Sequence, residues 1–362
     1  MRVQLTRRHD DGAIAIIVAL LSVVLIGMAA FAIDFGNAYA VKRQLSVAVD
    51  ASALDAARAV AGAKVGTQPI LGGGRGCATW SSAQRAAANS AAQATAAATN
   101  AANDLSGAST VDRVTVTCVG DSRVEVEVVN SRSLTPIFGG VFGADNYVPA
   151  RSATAAIVAR LGIGGLKPYV ACNTVVDAAE AAPGVTFVMD LDNKIGVCNT
   201  TAPGQWGIVD FDGGSNPTGD IEDWTEFGYP GQVFAPNPAL PADPGANLGP
   251  VRNELDTIVD QVVLFPVVTG FTQGPGNNAS FNLVGFVAAK VCGYYVGIGS
   301  PTQGSCYDAA KAAPYISANP RVRFIQFQYF DRFTGGYAGG GPTCNFTDPS
   351  CKYAILSAQL YR

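Results

Sequence analysis

Hydrophobic positions near the start of the chain fall into two regimes. From Ala13 to Ile33, "AIAIIVALLSVVLIGMAAFAI", there is no charged residue. At ~1.5 Å per helical residue this run covers roughly 30 Å, about one hydrocarbon core. Beyond it, apolar positions thin to one face. Phe31, Phe35, Ala38, Leu45, Val49, Ala53, Ala56 and Val60 recur at spacings near three, four and seven. No proline interrupts, and the first stop signals are Gly62 and Gly66. The pattern predicts one helix over 13–61, apolar all round at first and amphipathic afterwards.

The rest of the chain changes period. Leu71 to Gly76, "LGGGRG", reads as a connector. Residues 80–104 are Ala-rich and predict a second helix ending before Gly107. Val111 to Val129 alternates apolar and polar around Gly120-Asp121, which predicts a hairpin with one solvated face. A further strand is expected after Pro149. These elements make an α+β domain over 62–160, and "LGIGG" at 161–165 reads as a linker. From Leu166 on, "VTFVMDLDN", "WGIVDFDGG", "QVVLFPVVTG", "FNLVGFVAAKVCGYYVG", "VRFIQFQYFDR" and "YAILSAQLYR" are strand candidates between Gly, Pro and Asn clusters. The fold class is therefore α+β. A long N-terminal transmembrane helix carries a small antiparallel sheet, followed by a mainly β domain over 166–362 whose final strand closes the chain.

Charge orients the helix. Arg2, Arg7 and Arg8 precede the apolar run, which by the positive-inside rule places residues 1–12 in the cytoplasm and the bulk of the chain outside. Ala30-Phe31-Ala32 matches a signal-peptidase site, so a cleaved export signal is the competing reading. The run exceeds a usual signal core of about 7–15 residues, and the helical pattern continues past the cleavage point. Both facts favour an uncleaved, single-pass anchor.

Composition narrows the function. The net charge is −4 with no basic stripe, which argues against a nucleic-acid partner. The one histidine, His9, lies before the apolar run, so the rest of the chain has no imidazole for a catalytic triad or a zinc site. GxSxG, GxxxxGK[ST], HExxH and a helix-opening GxGxxG are all missing. A non-enzyme is expected. The eight cysteines all follow the anchor, and an even number in an exported chain reads as disulfides. Eight cysteines allow 105 connectivities. Their spacings favour Cys77–Cys118, Cys172–Cys198, Cys292–Cys306 and Cys344–Cys351.

One acidic stretch, "DFDGGSNPTGDIEDW", puts carboxylates on a Gly-rich turn, a chemistry suited to Ca²⁺. Asp210, Asp212 and Asp220 are the candidate ligands. The positions an EF-hand needs next hold Gly214 and Ser215, so a solvated acidic turn is the plainer reading. No other cofactor is expected. A hydrolase built on a carboxylate pair from Asp190, Asp192, Asp210 or Asp212 is the enzymatic alternative.

Three segments, "RRHDDGAIAI", "AIDFGNAYAVKRQL" and "VAVDASALDAA", carry a resemblance in order and spacing. Residues 7–61 resemble the N-terminal segment of the TadE/TadG-like family of Flp (tight adherence) pilus-assembly proteins. The resemblance implies a pilin-like α+β domain and a helix that packs against other pilin-like Tad subunits or the assembly platform. Asp34, Gly36, Leu45, Val49, Asp50, Ala53 and Leu54 are the expected contact residues, with membrane lipid as the other partner. Bottom-up, Asp34 stands where the helix would enter the headgroups. Gly27, Ala29, Ala30, Ala32, Gly36 and Ala40 would let another helix approach closely. Two departures stand out. Prepilins carry a glutamate five residues after the cleavage glycine, where this chain has Ile17 after Gly12. The DxSxS metal motif of longer relatives is not met by Asp50-Ala51-Ser52-Ala53-Leu54. A cell-surface protein whose β domain binds a ligand or carbohydrate is the alternative to a pilus role.

Overall fold

The computed structural model describes residues 11–104, 108–143, 145–192, 207–213, 218–242, 248–272, 280–331 and 341–361. It opens on α1 (Asp11–Ala61), one unbroken helix. The helix stops where the Gly62 N–H reaches back to the Arg58 carbonyl at 3.1 Å. Second comes α2 (Ser82–Asn103), which begins at a capping box. The Ser81 hydroxyl accepts from the Gln84 N–H, and the Gln84 side chain accepts from the Ser81 N–H. The two helices pack through alanines: Ala53, Ala56 and Ala57 against Ala88, Ala92 and Ala96, all buried. Side chains this small let the backbones come close. Asp55 fixes the register, pairing with Arg58 at 2.9 Å and accepting from Thr99 of α2 at 3.2 Å.

Both helices lie on an antiparallel five-stranded sheet. Its hairpin joins Ser109–Val119 to Arg123–Arg132 through Gly120, whose φ of 59° is a left-handed turn conformation. Along the second strand Val124, Val126 and Val128 are fully buried while Glu125 and Glu127 are half-buried, the period-two pattern of a strand with one core face. Ala150–Arg160 pairs next. The last two strands come from the far end of the chain: Thr343–Cys344 and Ile355–Tyr361 both pair with Ala150–Arg160. The closing strand, expected in the second domain, therefore completes the first sheet. Ile355 and Leu356 are buried in the same core as α1 and α2, which is the physical reason for the return.

The second sheet has seven strands built around Ser280–Val296. Val262–Thr272 and Arg323–Asp331 flank it antiparallel, with Thr186–Asp190 beyond the latter. Ala171–Cys172 pairs parallel with Val262–Thr272. Asn237–Pro241 and Thr302–Gln303 pair with the two ends of the long strand. Leu264, Phe281, Leu283 and Phe286 join the core under α1, and Phe265, Val267, Val287 and Val291 form a second core. The sheets touch at Gly285. The Phe286 N–H donates to the Tyr353 carbonyl at 2.8 Å, and a Cβ on Gly285 would collide with the Tyr353 backbone.

Two segments expected as spacers are packed. Leu161 and Ile163 are buried, and Gly162–Ile163 pairs with Val233–Phe234. In the 71–76 connector, Leu71 is buried and Gly72 and Arg75 exchange backbone hydrogen bonds. Among the described residues of the β part are also the short helices α3 (Asn173–Ala181), α4 (Thr218–Glu226), α5 (Arg252–Ile258) and α6 (Ala309–Ala318). Disulfides join Cys77 to Cys118, Cys292 to Cys306 and Cys344 to Cys351. The expected Cys172–Cys198 link lies outside the described residues, because Cys198 does. Arg2, Arg7, Arg8 and His9 lie outside them as well.

Candidate functional site

The site is built on α1 at the outer end of its apolar run. Asp34 stands 19 residues after Ala15 in the sequence, about 29 Å along the axis and so near the edge of a hydrocarbon core. Its carboxylate holds a second segment. Oδ1 accepts from the Ile137 N–H at 2.7 Å, and Oδ2 accepts from the Gly139 N–H at 2.6 Å. The Phe138 N–H lies 3.2 Å from each oxygen. Three consecutive backbone donors thus converge on one acid just ahead of the short 3₁₀ turn Gly139–Phe142. Charge-assisted bonds of this kind are about twice as strong as neutral ones.

The segment is a strap. Leu134 and Tyr147 exchange both backbone hydrogen bonds, at 2.9 and 3.1 Å, closing its neck. The neck packs on the helix: Val41, Leu45 and Leu134 form a small buried cluster with Tyr147 against it. Between strap and helix runs an apolar groove of about 430 Å³, lined by Gly27, Ala30, Phe31, Phe35 and Ala38 on one side and Pro136 and Tyr147 on the other. The sequence pointed to Asp34 as a carboxylate at a membrane edge. It gave no sign of the partner, because backbone N–H groups carry no residue signature.

The other expected contact residues divide by exposure. Leu45, Val49 and Ala53 are buried beneath the chain's own domain, at 2%, 1% and 0% exposure. This corrects the expectation that they face another subunit: the strap, α2 and the first sheet already cover them. Asp50 and Leu54 are half-buried at the border of that contact. Gly36 is exposed, and a Cβ there would meet nothing within 4 Å. The inner half of α1 is bare on nearly every side, with Leu20, Val24, Ile26 and Phe31 more than half exposed. It is long and apolar enough to cross a membrane.

Residues 12–59 match the Tad family model, Flp pilus-assembly TadE/G-like. The match is confined to α1. No curated protein and no solved structure matches the chain. The Tad segment ties this helix to Flp pilus assembly and to membrane anchoring near the N-terminus. Within it, Asp34 fastens the strap to α1, and the Tad residues from Val41 to Val60 are the ones the first domain is folded on.

The acidic residues singled out beyond the Tad segment take separate places in the fold. Asp210 is buried and accepts from the Gly213 N–H at 3.0 Å. Burial, then a hydrogen bond with Asp212, pushes its pKa up to about 6. Asp220 sits in the first turn of α4, where a carboxylate favours the helix dipole. Among the described residues no three acidic, thiol or imidazole side chains converge on a metal position, so the expected Ca²⁺ trio is not assembled. Asp192 is committed to Arg323, taking its guanidinium at 2.6 and 2.8 Å and its N–H at 2.8 Å, and Asp190 accepts from the Asp192 N–H. Lys167 is buried, donates to the Glu226 carbonyl at 3.0 Å, and is pushed down by burial to about 8.

Proposed function

We propose that this chain is a membrane-anchored, non-enzymatic, pilin-like component of a Tad/Flp-type pilus apparatus. Its N-terminus is cytoplasmic and its disulfide-bonded domain lies outside the membrane. One observation carries the reading: the Tad-matching helix is divided into a bare inner half and an outer half sheathed by its own domain. Bare apolar surface of this size needs a cover. Lipid supplies it while the subunit waits in the bilayer. Helices of other pilin-like Tad subunits, or of the assembly platform, supply it on incorporation. Small residues at Gly27 and Gly36 suit such helix–helix contact.

The test is to export the domain without its anchor. A chain in which residues 13–33 are replaced by a cleavable signal sequence is supplied as the only copy. Loss of surface pili, with the exported domain still disulfide-bonded and soluble, is expected. Normal piliation with that chain would overturn the reading and return the protein to the surface ligand-binding class.

A further inference from the structure

We infer that the tip of the strap, Ile137 and Phe138, is a second membrane contact, seated in the lipid at the outer face of the bilayer beside α1. The inference rests on the membrane anchoring of the Tad segment and deepens it by naming where the exported domain meets lipid.

Three observations carry it. First, Asp34 holds the Ile137, Phe138 and Gly139 N–H groups, so the tip cannot lie far above the residue that ends the apolar run. Second, the tip is bare where a water-facing loop would be polar: Ile137 is 58% exposed and Phe138 40%. The strap residues 134–147, "LTPIFGGVFGADNY", include one charged residue, Asp145. Third, the residues on either side of the tip, Pro136 and Gly139, line an apolar groove with the exposed wall of the helix. Phe31, Phe35 and Pro136 line one groove with Tyr147, and Phe31 and Phe35 stack at 6.0 Å between ring centres. Aromatic and apolar side chains at the end of a span are the composition of a membrane interface. Backbone groups at that depth need partners within the protein. The Asp34 carboxylate satisfies three of them, which is how a non-helical segment can lie there. Seated this way, the strap fixes the height and tilt of the domain over the bilayer, which a single helix leaves free.

A photoreactive benzoylphenylalanine at position 138 tests this in the full-length protein, reconstituted in vesicles of phosphatidylethanolamine and phosphatidylglycerol. A second chain carries the same group at position 24 in the span. Phospholipid adducts identified by mass spectrometry are expected at both positions. Adducts at 24, with only solvent-quenched or protein–protein products at 138, would overturn the second contact and leave the anchor intact. Lipid adducts at neither position would overturn both. The variant Ile137→Ser/Phe138→Ser is expected to keep its thermal melt while losing at least about half of the lipid protection of the strap in hydrogen exchange. Unchanged protection would also overturn the inference.

Discussion

The carboxylate of Asp34 and the backbone N–H of Gly139 lie 2.6 Å apart across 105 positions of sequence. Through that bond and its two neighbours, the domain that follows α1 grips the helix just past the end of its apolar run. The helix is therefore a spine whose outer half is core and whose inner half is bare.

Asp34→Ala removes every acceptor at once. The strap N–H groups of residues 137–139 lose this acceptor, so the cost falls first on the strap. We expect the strap to lose local stability. Hydrogen exchange at residues 137–139 should then quicken, roughly several-fold, while exchange in the core strands does not. The global melting temperature should hardly move. Unchanged exchange would show that the carboxylate does not hold the strap.

Leu45 and Val49 are core residues here, which changes what their mutation reports. Leu45→Ala or Val49→Ala should cost about 2–4 kcal/mol through lost burial and the cavity left behind. Leu45→Asp/Val49→Asp should unfold the first sheet. Loss of pili in such a mutant would report misfolding, and a melting curve of the purified variant separates the two causes. A native melt for the double Asp variant would refute this packing.

Asp210 sets a pH dependence with a definite sign. Its folded pKa, about 6, lies above the ordinary carboxylate value, so the folded state binds the proton more tightly than the unfolded chain. Stability from this group is therefore full below about pH 4 and falls as pH rises through 6. Asp210→Asn keeps a side-chain acceptor for Gly213 and removes the charge. It should stabilise the protein at pH 7.5 by about 1 kcal/mol, after allowance for screening, and leave it unchanged at pH 4. Parallel melts across that range check it, and an equal shift at both ends would remove Asp210 as the cause.

Gly36 separates folding from assembly. A Cβ there meets nothing within 4 Å, and glycine inside a helix costs about 1 kcal/mol relative to alanine. Gly36→Ala should stabilise α1 in isolation, while Gly36→Leu should fold as well yet reduce piliation if another helix packs there. Full piliation with Gly36→Leu would move the contact to another face.

Local periodicity made part of this legible. The uncharged run from Ala13, the alternation of Val124, Val126 and Val128, and the Ala-rich run over 80–104 are signals written in adjacent residues. What escaped depends on distant partners. Nothing in "YAILSAQLYR" says that Ile355–Tyr361 pairs with Thr154–Arg160 and not with its neighbours in sequence. The amphipathic stripe from Leu45 to Val60 was read correctly as a face. A stripe does not name what covers it, and here the cover is this chain. Helix α4 was hidden because "TGDIEDWTE" buries only Ile221, Trp224 and Thr225, too few positions for a periodic signal. The strap carries no local signal, because its order comes from backbone donors on Asp34.

The inner half of α1 bears the central claim, that this helix passes from lipid to other pilin-like helices. A benzoylphenylalanine at Ile26, irradiated in piliated cells, reads its neighbour directly. Covalent adducts with a second Tad or pilin-like chain, recovered from the pilus or platform fraction, are expected. Phospholipid adducts alone, in cells carrying normal pili, would mean that the helix never leaves its lipid and that the chain is an anchor without an assembly role.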